Sequence, residues 1–322
     1  PRSTLFPYTT LFRSIGVLWY NVENLFDTLA SSNSNDQDFT PDGKFRWDSK
    51  KYNLKLQRLS QVISSCQPGS FPAIIGLCEV ENKSVLNDLV QNVGIQKADY
   101  KIVHEDSPDE RGIDVAFLYR DSIFTYQSHQ NIKIMLDGGD LTRDILYVKG
   151  KIKNETVHCF INHWPSRRGG EESEQKRVKS AYTLRLQIDS ILKEESNAKI
   201  MIMGDLNDEP QNMSVFVTLN ACNKPGSLFN LCLEKDKNGL GTHFFKDGWN
   251  MLDNFIVSPS LLEGNGLIVK SKEATIFSPE WLTWFDKKNQ VAVPSRTYAG
   301  SNYTGGYSDH FPLFVEFVVN QE

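Results

Sequence analysis

The residues able to do chemistry sit at the margins of apolar runs. Asn21 follows IGVLWY, Glu79 follows AIIGLC, His163 follows HCFIN, and Asp205 and Asn207 close KIMIMG. Two more sites come before their runs: Asp253 precedes NFIV, and Asp309-His310 precedes FPLFVEF. Singly, each has an ordinary reading. Asn21 and Asn207 suit turns, and Asp205 with Asn207 suits the cap of a helix near Gln211. Asp309-His310 suits an exposed loop, and His163 in N-H-W-P suits a packed surface imidazole. Glu79 resists the ordinary reading most, because carboxylates are rarely buried unpaired, though a helix start would also favour one.

Together these types share a purpose. Glu, Asp and Asn supply hard oxygen ligands of the kind Mg²⁺, Mn²⁺ or Ca²⁺ takes. Neither HExxH nor a Cys/His cluster of zinc spacing occurs. A bound cation polarises a phosphoryl oxygen and offsets developing charge. Attack by water then needs a base for the water and an acid for the leaving oxygen, and histidine titrates in the range for either task.

The elements must bring the sites together. Ile15–Tyr20, Ala73–Cys78, Asp114–Tyr119, Asp144–Lys153, Thr156–Asn162, Lys199–Met203, Asn254–Val257 and Pro312–Val319 read as strands. If the runs that end in a polar site lie antiparallel to those that begin with one, all six sites meet on one edge. Asp48–Cys66 has helical spacing at Tyr52, Leu56, Leu59, Val62, Ile63 and Cys66, with Asp48 as N-cap. Lys83–Val90 and Gln175–Leu192 are further helices, the latter with Val178, Tyr182, Leu186 and Ile188 inward. Ser31–Asp42 reads as a polar loop, and Lys246-Asp247-Gly248 marks a hairpin. Many strands with interspersed helices predict an α/β sandwich.

Composition narrows the class. A net charge of -5 excludes the global basic field of a dedicated DNA-binding protein, but a metal site's carboxylates push the total in that direction. Five cysteines are no disulfide framework, and only Cys222 and Cys232 are spaced as a candidate pair. No apolar stretch reaches the ~20 residues of a membrane span. Pro1–Ser14 (PRSTLFPYTTLFRS) reads as a non-native, adapter-derived segment, which leaves the compartment without a sequence signal. Residues 15–322 carry apolar runs without a long gap, so one domain is expected there.

Seven segments in order resemble the endonuclease/exonuclease/phosphatase family, the deoxyribonuclease I-like superfamily. They are YNVENLFD (Tyr20–Asp27), GLCEVEN (Gly76–Asn82), RGIDVAFLYR (Arg111–Arg120), NHWPSRR (Asn162–Arg168), GDLND (Gly204–Asp208), LDNFIVS (Leu252–Ser258) and GYSDHFP (Gly306–Pro312). The NVENLFD and NHWPSRR forms are similar to a bacterial subgroup of uncharacterised members. The resemblance implies a four-layer α/β/β/α sandwich of two mixed, largely antiparallel sheets. It implies Glu79 as principal metal ligand with Asn21 beside it, and Asp309 holding the metal or orienting the adjacent histidine. Asp205 and Asn207 would position water and phosphate. His310 would contact the phosphate and serve or assist the base, and His163 would be a second catalytic histidine. Asp253 would fix the tautomer of His163 or His310.

Further candidates are Asp114 as an orienter of His163, Arg111 and Arg143 as phosphate clamps, and a basic rim of Arg167, Arg168, Lys176 and Arg177. Tyr298, Tyr303 and Tyr307 could stack on a base or pack in a loop. The expected enzyme is a monomeric, Mg²⁺- or Mn²⁺-dependent phosphodiesterase with nucleic acid as substrate. A lipid headgroup, inositol phosphate or other small phosphate ester is the alternative. A non-catalytic binding protein on the same fold ranks last, because the catalytic set has no gap.

Overall fold

Runs that are apolar on both faces become the central strands of two sheets. The computed structural model describes residues 14–31 and 35–320. The Pro1–Ser14 reading therefore lies outside the described residues, Ser14 excepted. In chain order the first sheet begins with β1 (Ile15–Leu25), β2 (Ile74–Val80), β3 (Tyr100–His104) and β4 (Asp114–Arg120). The second holds β5 (Phe124–Ile132), β6 (Ile145–Ile152), β7 (Glu155–His163), β8 (Lys199–Asp205), β9 (Phe229–Asn230) and β10 (Asp253–Val257). The chain then returns to the first sheet for β11 (Gly266–Val269), β12 (Thr275–Ile276) and β13 (Leu313–Asn320). The strand orders are β11-β13-β1-β2-β4-β3, with β12 also on β13, and β5-β6-β7-β8-β10-β9. Only β1/β2 and β7/β8 pair in parallel; the other pairs in both sheets are antiparallel.

Strand alternation sorts the core. In β1, Val17 and Trp19 point between the sheets, where they meet Phe117, Val148, Ile161, Met203, Phe255 and Phe317. Leu18 and Tyr20 point outward onto α1 (Ser49–Ser65) and α2 (Lys83–Val90), against Leu59, Ile63 and Leu89. On the far side, Phe160, Ile202 and Ile256 pack on Leu184 and Ile188 of α3 (Glu171–Glu194). The result is the expected α/β/β/α layering. Asp48 caps α1 as anticipated, accepting from the Lys50 and Lys51 amides, and Asn82 does the same for α2. Among the described residues no helix is long and apolar enough to cross a membrane.

Four expectations need correction. The edge strands β3 and β5 were not foreseen, because β5 (FTYQSHQNI) is exposed along most of its length and lacks a continuous apolar signature. The inward face of α3 is rotated from the expected one. Tyr182 and Leu186 are exposed, while Arg177, Ser180, Ala181, Leu184 and Ile188 are buried. Small Ser180 and Ala181 let the helix approach the sheet, and Arg177 Nε is neutralised by Asp208 Oδ2 at 2.8 Å. Cys222 and Cys232 are both free thiols. No helix near Gln211 is capped by Asp205 or Asn207; the next helical turn is Met213–Thr218, led by Asn212.

Candidate active site

Strand direction assembles the site. Parallel β7 and β8 set His163 opposite Asp205, and antiparallel β10 sets Asp253 opposite Asp205 from the other side. In the first sheet, β1 and β2 bring Asn21 level with Cys78, one residue before Glu79, and β13 folds back against Trp19. The six sites thus share one edge.

Local backbone departs from regular strand where side chains must turn inward. β1 runs past Asn21, and its pairing with β2 is interrupted between Asn21 and Leu25 by a bulge holding Glu23 and Asn24 at φ 51° and 56°. Glu79 sits at a matching break in β2 with φ 63°, and Asn207 follows β8 at φ 50°. A left-handed backbone at a non-glycine residue costs roughly 1–2 kcal/mol, so neighbours must hold it. They do. Glu79 Oε2 accepts from the Asn24 amide at 3.0 Å, and Asn207 donates its amide to Asp205 Oδ1 (2.9 Å) and its Nδ2 to Trp164 O (3.0 Å).

Asp205 is the hub. Its Oδ2 accepts from Asn21 Nδ2 at 3.0 Å and faces His310 Nε2 at 3.8 Å and His163 Nε2 at 3.9 Å. His163 Nε2 also faces Glu79 Oε1 at 4.0 Å. Those gaps exceed hydrogen bonds, so two imidazoles and two carboxylates face one another without direct bonds. His310 Nδ1 bonds Asp253 Oδ2 at 2.6 Å, so Asp253 serves His310 and not His163. Asp253 is fixed in turn by Trp19 Nε1 (2.7 Å) and the Thr242 hydroxyl. Ser308 ties the Asp309-His310 turn to β1, donating to Asn21 O at 2.7 Å and accepting the His310 amide at 3.1 Å.

The histidines are driven apart in proton affinity. Burial pushes His163 well below the ordinary imidazole range, and the charges of Arg143, Arg111 and His310 add to it. Burial acts the same way on His310, but Asp253, aided by Asp205 and Asp309, outweighs it and holds His310 well above that range. Burial raises Asp205 to about 6 against the pull of His310. For Asp309 burial works upward too, yet His310, His243, Arg296 and Lys55 together bring it down.

Asp205, Asp253 and Asp309 thus lie around His310, and Glu79 adds a fourth carboxylate beside His163. That surplus negative charge, with the amide oxygen of Asn21, fits a hard divalent cation. Glu79 Oε1 and the Asp309 carboxylate offer oxygens in this region, while Asn21 Oδ1 accepts the Glu23 amide at 3.0 Å. Two sets of potential ligand atoms within 4.8 Å, His243–Asp309–His310 and Asp205–Asp253–His310, overlap this region.

The secondary candidates divide. Arg111 stays at the site, half-exposed, with Nη2 on Asn24 Oδ1 at 2.7 Å and 3.8 Å from Glu79 Oε2. Arg143 is buried; it binds Asp109 Oδ2 (2.8 Å) and the carbonyls of His163 (3.2 Å) and Trp164 (2.7 Å), so it braces the end of β7. Arg167 braces the Asn207 loop through Asn207 O (2.9 Å), Asn250 and Asn212, whereas Arg168 is exposed. Lys176 pairs with Asp140 and Glu172 and Arg177 with Asp208, so of the expected basic rim only Arg168 is left exposed and unpaired among the described residues, with the phosphate-clamp candidate Arg111 standing apart from it. Asp114 does not orient His163. It opens β4 in the other sheet, where its carboxylate accepts from the Ser107 amide at 2.9 Å and lies 3.3 Å from His104 Nε2. His163 Nδ1 has no hydrogen-bond partner. Tyr298, Tyr303 and Tyr307 pack beside Trp47 and Arg58 and take the loop-packing role.

Two residues near the site gave no signal in the sequence. His243 bridges His310 through the backbone, and their rings lie 4.7 Å apart. Lys55 is buried behind the site; its Nζ donates to Thr297 Oγ1 and Tyr307 O, each at 2.6 Å, and sits 4.0 Å from Glu23 Oε2.

The fold and this site define a metal-dependent hydrolase of phosphate esters. The chain belongs to the endonuclease/exonuclease/phosphatase family, whose model matches residues 16–319. No curated protein sequence matches it significantly. Similar solved structures include a humanized D. rerio TDP2 with 14 mutations, at 14% identity and TM-score 0.58, covering 96% of this chain and 99% of that one. A mannosyl-6-phosphatase from Bacteroides thetaiotaomicron is 20% identical with TM-score 0.57, covering 95% and 100%. The catalytic domain of human Nocturnin with bound sulfate is 14% identical with TM-score 0.58, covering 95% of each chain.

Proposed function

We propose that this enzyme hydrolyses phosphodiesters, with nucleic acid as substrate, by metal-assisted attack of water. The observation that carries the reading is the pair of buried imidazoles on either side of Asp205, His310 bonded to Asp253 at 2.6 Å and His163 with no carboxylate closer than 3.9 Å. Groups whose environments push their pKa values apart divide acid and base roles between them. A divalent cation held by Glu79, Asn21 and Asp309 would polarise the phosphoryl oxygen and stabilise negative charge. Asp205, raised to about 6, is matched to take a proton from water at neutral pH, with Asn207 orienting that water. His310, protonated through Asp253, supplies positive charge and a proton toward the phosphate. His163 stays neutral, and Nε2–H, facing two carboxylates, is its better-stabilised tautomer, a donor to a non-bridging oxygen. Arg111 adds a second cation beside Glu79.

Phe245 is exposed and close to the site; its ring is 6.1 Å from His243, and Lys246 Nζ lies 5.4 Å over it. An aromatic face with a cation suits a nucleobase beside the scissile phosphate. A second reading, hydrolysis of a sugar phosphate monoester, draws on the likeness to the mannosyl-6-phosphatase and on the small basic rim. Supercoiled plasmid and single-stranded oligonucleotide are to be incubated in Mg²⁺ beside mannose 6-phosphate. Cleavage of the nucleic acids, absent from H310A, is expected. Intact nucleic acid with turnover of the monoester would overturn the nuclease reading and leave the hydrolase.

A further inference from the structure

We propose that His104, Asp106 and Asp114 form a second divalent-cation site, separate from the Glu79 centre, for a metal of the zinc or manganese class. The three offer ligand atoms that lie within 4.8 Å of one another. His104 ends β3 and Asp114 opens the adjacent β4, so both sit on rigid strand ends. Asp106 lies two residues past His104; its Oδ1 is 4.0 Å from His104 Nδ1, and its exposed side chain must turn toward the Nε2 side to join Asp114 on one ion.

A plain histidine–carboxylate hydrogen bond does not account for the pair. His104 is 6% exposed, and its Nε2 has no hydrogen-bond partner although Asp114 Oδ2 is only 3.3 Å away. The ring nitrogen and the carboxylate are close without being aligned. Two ligands at ~2.0–2.1 Å from one tetrahedral metal stand about 3.3 Å apart and point at the metal, not at each other. The Asp114 carboxylate is already oriented for this, since its Oδ1 accepts the amide and the hydroxyl of Ser107 and Oδ2 is left toward His104. One imidazole nitrogen with two carboxylates favours a borderline cation over Mg²⁺, which takes oxygen ligands.

Such an ion would close the base of the segment between β3 and β4. That segment carries Arg111, which touches Asn24 beside Glu79, and Asp109, which accepts from Arg143 at 2.8 Å. Arg143 in turn holds the carbonyls of His163 and Trp164. Fixing both ends of a short loop removes conformational freedom from everything it presents. The site is therefore a staple for Arg111 and for the end of β7, not a seat of catalysis.

The full chain carrying Glu79→Gln, which weakens the catalytic site, is to be stripped of metal and titrated with Zn²⁺ by calorimetry. A higher melting temperature is expected, with one equivalent of Zn²⁺ bound beyond any taken by the His243–Asp309–His310 and Asp205–Asp253–His310 groups. Adding Asp106→Asn or His104→Gln should each weaken Zn²⁺ binding about tenfold or more. Asp106→Asn alters only an exposed side chain, so it decides the matter if His104→Gln does not fold. No Zn²⁺ bound by the Glu79→Gln chain, or affinity kept within twofold when Asp106 is changed, would overturn the site.

Discussion

At the scale of single residues, the site places charge against charge, and each removal has a direction. On the proposed reading, Glu79→Gln takes away the principal anionic ligand. Metal-assisted charge stabilisation is worth several kcal/mol, so kcat/KM should fall roughly 10²- to 10⁴-fold, with more Mg²⁺ needed for half-maximal rate. A metal titration of the initial rate checks this, and an unchanged profile would remove Glu79 from the ligand set. Asp253→Asn acts through His310. Its folded pKa is raised, so the pair's stabilisation is complete below the unfolded value of about 6.5 and is lost as pH rises through the folded value. Without the Asp253 carboxylate that folded value drops. The alkaline limb of the kcat profile should move to lower pH, and kcat should fall about 10- to 100-fold. A limb that stays in place would assign it to another group. Glu79, Asp205, Asp253 and Asp309 were legible in the sequence because carboxylates against apolar runs demand an explanation. His243 was not, since a histidine in a short hairpin has many ordinary uses.

At the scale of elements, strand ends place the groups and loops tune them. The turn bearing Asp309-His310 hangs from α1 through Lys55 and from β1 through Ser308 and Glu23, whose Oε2 accepts the Thr297 amide at 2.6 Å. Lys55 is fully enclosed, and breaking a buried pair from one side leaves an uncompensated charge. Lys55→Met should lower stability by about 3–5 kcal/mol in urea unfolding. A loss under about 1 kcal/mol would mean that the pair contributes little. The long strands, α1 and α2 were readable from periodicity. The face of α3 was not, because the buried Arg177–Asp208 contact reverses the usual link between charge and exposure.

At the scale of the whole molecule, two sheets share one core and deliver both histidine sites to a common rim. Phe117 is fully buried between the sheets and touches both Phe124 and Tyr119. Phe117→Ala should cost about 3–5 kcal/mol, with loss of activity following the loss of folded protein. The acidic total and short basic rim also limit phosphate contacts. If Arg111 and Arg168 make most of them, log K for nucleic acid should fall with log salt at a slope between about −1 and −2. A slope steeper than about −4, measured by anisotropy in an inactive variant, would point to a basic surface beyond that rim.

The sequence by itself determined the layered α/β class and the strand margins on which the six sites lie, because apolar period and misplaced polarity are local properties. Which histidine Asp253 serves, where Asp114 points, and which arginines still face the site were decided only in three dimensions. Those assignments depend on pairings between strands far apart in the chain, and on bulges at Asn24 and Glu79 that turn a side chain without any mark in composition.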